Sequence, residues 1–370
     1  MADPKKASDR DAGDTSPIII GIGSSAGGLE ALRALASRLP SNIGCAYVVV
    51  QHMSPQHKSL MTSLIDRETA LSVVDVEDGV APQPDTIYVT PPRHDVMFRA
   101  GRLRLMPAST DAAKPKPSVD RFLLSLAEEI DERAVAVILS GTGSDGAYGV
   151  QAIREAGGIT IAQDDESAKY DGMPNAAVRT GCVDLVLKPD QIATHLRKIL
   201  QSAGNLEAFQ EDSGAASSLA GLLQIVLART RVDFREYKTT TVQRRVERRM
   251  TAMGCASSAD YVTLCRNSPR EIDALFKDLL ISVTRFFRDK TEFEGFAAAL
   301  RALVAQKPQG PLRIWVAGCA TGEEVYSIAI LLAEAMGGPD ALAASNTQIF
   351  ATDIDRNALD VARRGEYSQG

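Results

Sequence analysis

Apolar and polar positions fall into three regimes along this chain. From Ile18 to about Leu200, short apolar runs alternate with stretches of helical spacing. The runs predict strands at Ile18 to Gly21, Ala46 to Val50, Thr86 to Val89, Val135 to Leu139, Ile159 to Ala162 and Val183 to Leu187. Helices are predicted over Leu29 to Arg38, Lys58 to Arg67, Val119 to Asp131, Tyr148 to Ala156 and Pro189 to Gln201. Such alternation predicts an α/β fold, a doubly wound and mainly parallel sheet with helices on both faces. Between Thr86 and Pro107 strand-like pieces flank Gly101, which predicts an antiparallel hairpin attached to that sheet. The pattern from Leu219 to Ala305 is almost wholly helical, and from Gly310 it changes again. There a strand at Leu312 to Val316, a glycine turn, a helix through Leu332 and a strand at Gln348 to Thr352 predict the start of a Rossmann-like domain.

With 370 residues, 45% of them hydrophobic, the chain has material for two or three buried cores. No apolar run reaches the length of a membrane span, and residues 1–16 lack a signal-peptide h-region, so the expectation is a disordered leader on a cytoplasmic protein with no membrane insertion. Five scattered cysteines form no CxxC pair and have no nearby histidines, which predicts free buried thiols and no metal site. The mild net charge of −6 hides a basic segment: residues 219–305 carry 15 Lys and Arg against 10 Asp and Glu. Arg244, Arg245, Arg248 and Arg249 fall within about 140° of one helix and form a basic face, read as solvated surface or as a dock for an acidic protein. Without interleaved aromatics it does not predict nucleic-acid binding.

The stretch Ile18 to Leu32, IIIGIGSSAGGLEAL, fits two chemistries. Gly21-x-Gly23-x-x-Ala26 has the form of a dinucleotide cradle, and Gly23-x-Ser25-x-Gly27 that of a nucleophile elbow. A dinucleotide site needs an acid at the end of the next strand, where this chain has Gln51-His52. A third strand runs into Ser140-Gly-Thr-Gly-Ser-Asp145-Gly. Ligands of doubly wound sheets lie at the carboxyl ends of strands, so Ser25, His52 and Asp145 are predicted to share one edge. Taken singly, His52 also reads as a structural histidine and Asp145 as a turn or helix N-cap residue. His57, His94 and His195 follow no clear strand and read as surface or local structure.

GIGSSAGGLEAL, QHMSPQHKSL, KPSVDRFLLSLAE, LSGTGSDGAYGV and AKYDGMPNAAVRTGCVDLVL together resemble the catalytic domain of the chemotaxis protein-glutamate methylesterases (CheB). That resemblance implies a serine hydrolase without a cofactor, acting on glutamate methyl esters of methyl-accepting chemotaxis receptors and able to deamidate glutamines. By motif it makes Ser25 the nucleophile, His52 the base and Asp145 the orienting acid, with oxyanion donors among the amides after Ser25 and near Thr142. Ser24-Ser25-Ala26 stands where the family usually shows Ala-Ser-Thr, so Ser24 is a competing hydroxyl. The family's usual N-terminal receiver domain is not expected ahead of Ile18.

VDFREYKTTTVQRRVERRM, ISVTRFFRD, WVAGCATGEEVYSIA and FATDIDRNALDVAR resemble chemotaxis receptor glutamate O-methyltransferases (CheR). The resemblance implies S-adenosyl-L-methionine as methyl donor and carries Thr284, Arg288, Glu324 and Asp353 over as cofactor contacts, Asp353 toward the ribose. It also makes the basic helix a candidate receptor-docking surface. On its own TRFFR reads as helix-end packing. The implied organisation is a leader at 1–16, a methylesterase domain at 17–204, a linker at 205–218, a helical domain at 219–305 and, at 306–370, a transferase domain expected to be incomplete and weak or silent in methyl transfer. A non-catalytic receptor-binding scaffold is the other class of function compatible with these features.

Overall fold

A computed structural model of the chain describes residues 18–52, 60–108, 116–203, 215–280, 284–306 and 312–367. The leader, His57 and all but the last four residues of the expected linker lie outside them. The chain folds into two compact units, one up to Pro269 and one from Arg270.

The first unit runs β1 (Ile18–Ser24), α1 (Gly28–Ala36), β2 (Cys45–Gln51), α2 (Met61–Asp66), β3 (Ser72–Asp75), β4 (Thr86–Val89), β5 (His94–Arg99), β6 (Arg102–Pro107), α3 (Val119–Ile130), β7 (Ala134–Ile138), α4 (Ala147–Glu155), β8 (Ile159–Gln163), α5 (Gly172–Arg179), β9 (Leu185–Leu187), α6 (Pro189–Ala203), α7 (Ala215–Thr230), α8 (Thr239–Met253) and α9 (Ser258–Asn267). Seven strands form one sheet in the order β3-β4-β2-β1-β7-β8-β9, and every neighbouring pair is parallel. Strands of a sheet covered on both faces read as unbroken apolar runs, as β2 and β7 do. On one face Ile20 and Ile22 pack with Leu32 and Leu35 of α1 and with Leu196 of α6. On the other, Ile19 and Ala136 meet Phe122 and Leu126 of α3, Val150 and Ile153 of α4 and Met173 of α5.

Three details differ from the sequence pattern. The hairpin β5–β6 is a separate two-stranded antiparallel sheet, with only Thr86–Val89 joining the large one. β3 is an added edge strand whose exposed Ser72 and Asp75 hide its strand character. α5 is also additional, with Gly172 and Pro174 in its first turn masking the helical period.

The basic face of α8 is not the solvated surface it resembles in sequence. Arg248 and Arg249 are only 6% and 2% exposed, and both reach Asp184, Arg248 Nη2 at 2.6 Å and Arg249 Nη1 at 3.1 Å. Arg154 at the end of α4 bonds the same carboxylate at 2.9 Å, and Arg248 also donates to the Gly158 carbonyl. Burial opposes ionisation of Asp184, but Arg248, Arg154 and Arg249 hold its carboxyl well below the usual range. A buried carboxylate needs such counter-charges, and here α8 supplies two of them, docking the helical segment on the amino-terminal side of β8 and β9. Arg244 alone of the four is exposed, 3.8 Å from Glu132.

The second unit contains α10 (Pro269–Leu280), α11 (Lys290–Gln306), β10 (Arg313–Ala317), α12 (Glu323–Met336), α13 (Pro339–Ala344), β11 (Gln348–Thr352) and α14 (Arg356–Arg364). β10 and β11 pair in parallel, and Leu300, Val316, Cys319, Ile328 and Leu332 form its core. Among the described residues no helix is long and apolar enough to cross a membrane, and no His, Cys, Asp and Glu group could hold a metal ion.

Candidate active site

Strand order decides what meets at the carboxyl edge. β1 lies between β2 and β7, so the turns following those three strands are neighbours. The glycines of the first stretch serve packing against α3. A Cβ on Gly21 would lie 2.7 Å from Leu123 Cδ2, and one on Gly23 would lie 2.4 Å from Val119 Cγ1. Close helix approach therefore accounts for both, and Gly27, at φ 72°, starts α1.

Ser24 and Ser25 have opposite surroundings. Ser24 is the last residue of β1, 0% exposed, and its hydroxyl donates to Gln51 Oε1. Ser25 follows the strand and is partly exposed, and its Oγ makes no hydrogen bond among the described residues. Its backbone is fixed, since its amide donates to Ser140 O at 3.0 Å and its carbonyl accepts from Gly28 N and from Gln51 Nε2 at 2.7 Å. Gln51 also donates to His52 O, while the His52 amide bonds Ser24 O at 3.0 Å. This buried glutamine thus braces the serine turn and the histidine across two strands. Its position immediately ahead of His52 is the signal that the sequence pattern used only to reject a ribose site.

His52 Nε2 lies 2.8 Å from Asp145 Oδ2. A carboxylate only accepts, so Nε2 carries the proton and Nδ1 is left as the basic nitrogen. Asp145, 7% exposed, is seated on the amino-terminal end of α3, where Oδ2 accepts from Val119 N at 2.8 Å and Oδ1 from Asp120 N at 2.9 Å. The Ser118 hydroxyl caps α3 by accepting from Arg121 N. Burial alone would raise the Asp145 pKa, but the bonds from His52, Asp120 N and Val119 N bring it below the ordinary value. Ser118 to Asp120 fall in the motif KPSVDRFLLSLAE, yet nothing in the sequence assigns them to Asp145.

Of the other described histidines, His94 Nδ1 faces Pro92 O two residues before it, whereas His195 Nε2 faces Ala252 O of α8, 57 positions on. Three further contacts tie the turn after β7 to Ala26 and Tyr170. Ser140 Oγ accepts from Tyr170 N at 3.0 Å and lies 3.0 Å from Ala26 O, while Gly141 N donates to Tyr170 O. The amides of Ala26 and Thr142 donate to no group among the described residues.

In the second unit, Gly322 at φ 101° starts α12, and Asp353 follows β11. Asp353 Oδ2 accepts from Ala320 N at 2.7 Å and Oδ1 from Asp355 N at 2.7 Å. Thr284 and Arg288 bracket a segment docked on α12 by a bond from Phe287 N to Ser327 Oγ, one turn beyond the exposed Glu324. Phe286 packs edge-on against Tyr367, whose hydroxyl donates to Thr321 O. A cavity of about 420 Å³ is lined by Asp353 with Cys319, Gly322, Tyr326 and Thr352, whereas Thr284, Arg288 and Glu324 lie outside its lining.

Residues 20–196 match the family model for CheB methylesterase, residues 217–280 that for the CheR methyltransferase all-alpha domain, and residues 282–370 that for the CheR methyltransferase SAM binding domain. An uncharacterized 104.1 kDa protein of Rhodobacter capsulatus is 36% identical over 334 residues, covering 84% of this chain and 35% of that protein. A protein-glutamate methylesterase/protein-glutamine glutaminase of Moorella thermoacetica is 35% identical over 198 residues, covering 50% of this chain and 45% of the relative. The crystal structure of the Thermotoga maritima CheB methylesterase catalytic domain matches at 33% identity and a TM-score of 0.46, covering 49% of this chain and 97% of that one. The chain therefore spans about a third to a half of the length of these two curated relatives.

Proposed function

The chain belongs to the CheB methylesterase family over residues 20–196 and to the CheR methyltransferase family over residues 217–280 and 282–370, and from that premise we propose that its first unit is a serine esterase that demethylates glutamate residues of chemotaxis receptors in the cytoplasm. One observation carries the reading: a histidine bonded to a carboxylate seated on a helix amino terminus, next to a strand-end serine whose hydroxyl bonds none of the described residues.

In this reading Ser25 Oγ attacks the ester carbonyl as its proton passes to His52 Nδ1. Asp145 remains charged, holds Nε2–H and stabilises the imidazolium. The amides of Ala26 and Thr142 receive the oxyanion, a role in which one donor is worth about 3 kcal/mol. The tetrahedral intermediate collapses, His52 returns the proton to methanol as it leaves, and water then releases the glutamate by the same route. A glutamine would react identically with ammonia leaving. The buried Ser24 hydroxyl, donating to Gln51, supports Ser25 rather than Ser24 as the nucleophile.

For the second unit we propose S-adenosyl-L-methionine, which supplies an electrophilic methyl group when bound. Asp353 fits a ribose: both carboxylate oxygens are pinned by amides of the chain yet keep lone pairs for hydroxyl donors. Thr284, Arg288 and Glu324 complete the proposed contacts.

The test of the esterase is methanol release from a methylated receptor. The expected result is loss of release in Ser25→Ala and in His52→Ala, and its persistence in Ser24→Ala. Unchanged release from Ser25→Ala would sink the assignment.

A further inference from the structure

Two carboxylates cross-brace two helices beside this site, and only one of them has a role in the chemistry above. Asp145 ends the turn that precedes α4 and accepts from the first two amides of α3. Asp120, the second residue of α3, answers in the opposite direction. Its Oδ1 accepts from Gly146 N at 2.9 Å and from Gly149 N at 2.8 Å, at the start of α4. Each aspartate thus caps the other's helix: the Asp120 amide bonds the Asp145 carboxyl group, and the amide of Gly146, next in the chain after Asp145, bonds that of Asp120. Gly146 is the residue directly after Asp145 and sits at φ 96°, so a bond to its amide fixes the peptide plane on which Asp145 depends. Gly149 admits α3 at close range, since a Cβ there would lie 2.5 Å from Leu123 Cβ.

We propose that Asp120 is a positioning residue of the esterase: its carboxyl oxygen, holding the Gly146 and Gly149 amides, sets the place of Asp145 and through it the orientation of His52. The inference rests on the Ser25, His52 and Asp145 reading. As a cap alone, this oxygen would serve only the Gly146 and Gly149 amides of α4. What distinguishes Asp120 is that the same residue presents its backbone amide to the Asp145 oxygen. Burial pushes the Asp120 carboxyl up to about 7, the Gly149 and Gly146 amides opposing and the Asp145 charge reinforcing the rise, as two facing acids require. The acceptor oxygen, which is present in both protonation states, is therefore the part that positions.

The experiment uses the full chain and a peptide bearing a glutamate γ-methyl ester, with kcat and KM measured for Asp120→Ala, Asp120→Asn and Asp120→Glu. Asn keeps the acceptor oxygen in place, Ala removes it and Glu displaces it by one methylene. Expected are a kcat about 10²-fold lower in Asp120→Ala, about tenfold lower in Asp120→Glu, near wild type in Asp120→Asn, and KM within about twofold throughout. Ile153→Val, a core change in α4, controls for simple destabilisation and should leave kcat unchanged. Equal losses in the Asn and Ala variants, or wild-type kcat in Ala or in Glu, would overturn the proposal. Labelling by a fluorophosphonate separates this from failure of the underlying site. Label on a residue other than Ser25 in the wild type overturns the Ser25 reading, whereas label on Ser25 at the same rate in wild type and Asp120→Ala overturns the positioning role alone. Slower labelling of Ser25 in Asp120→Ala, restored in Asp120→Asn, supports both.

Discussion

Two strand–turn–helix units in this chain share a local design and differ in their neighbours. β1 runs through Ser24 to Gly27 at φ 72° and α1, and β10 runs through Gly318 to Gly322 at φ 101° and α12. In both, a left-handed glycine begins the helix and a parallel strand lies alongside. Beside the first, β2 ends in Gln51 and His52, and the glutamine ties both residues to the serine turn. Beside the second, β11 leads into Asp353, whose carboxylate takes the turn amide of Ala320. In the proposed function the turn supplies a place and the adjoining strand end supplies the chemistry, a base in one case and a hydroxyl acceptor in the other. Support differs as well. β1 is buried on both faces within seven strands, whereas Trp315 of β10 is 70% exposed in a pair.

The sharpest way to break this contrast is at the serines. Ser25→Ala is expected to lower ester hydrolysis about 10⁴-fold or more, and Ser24→Ala to lower it less than about tenfold, in methanol-release assays. Comparable losses would mean that strand position does not separate the two hydroxyls. Asp353→Ala should weaken binding of S-adenosyl-L-methionine about 10- to 100-fold in calorimetry and leave ester hydrolysis within about twofold, because each turn serves its own chemistry. An equal effect on hydrolysis would join what the comparison separates.

Asp184→Ala probes support rather than chemistry. It leaves Arg154, Arg248 and Arg249 without their shared carboxylate and is expected to destabilise the first unit by about 3–5 kcal/mol, read from urea midpoints. No change in midpoint would show that α8 contributes nothing to the stability of the sheet unit. The smallest effect concerns pH. Asp120 is raised from 3.8 to about 7, so the folded state holds a proton that the unfolded chain releases. Its contribution is fully present below about pH 4 and is lost as pH rises toward about 7. Asp145, depressed, contributes with the opposite sign, its share present above the unfolded value and lost as pH falls through the lower folded one. Between pH 4 and 7 the wild type should therefore lose stability relative to Asp120→Asn, and parallel curves would show that Asp120 does not titrate with folding.

Most elements were legible because burial writes its period into the chain. Ile19 and Ile20 point to opposite faces, so β1 reads as an unbroken apolar run, and Phe122, Leu123 and Leu126 give α3 its stripe. Elements with little burial or with glycine and proline at their starts, β3 and α5, were not. The candidate edge was legible as three strand ends, while the bonds from Gln51 to the serine turn and from the α4 amides to Asp120 were not, since these partners lie 26 or more positions apart. The α8 arginines misled for the same reason: periodicity places them on one face but does not say that Asp184 waits there.

By itself, then, the sequence determined the alternation of strands and helices, the glycine turns and the residue types at strand ends, all consequences of local periodicity and backbone sterics. The tertiary structure decided which of two adjacent serines is buried, which helix end receives Asp145, and that a basic face is an internal dock. Those depend on the strand order β2-β1-β7 and on which polar groups are buried together, and burial is a property of contacts between distant segments.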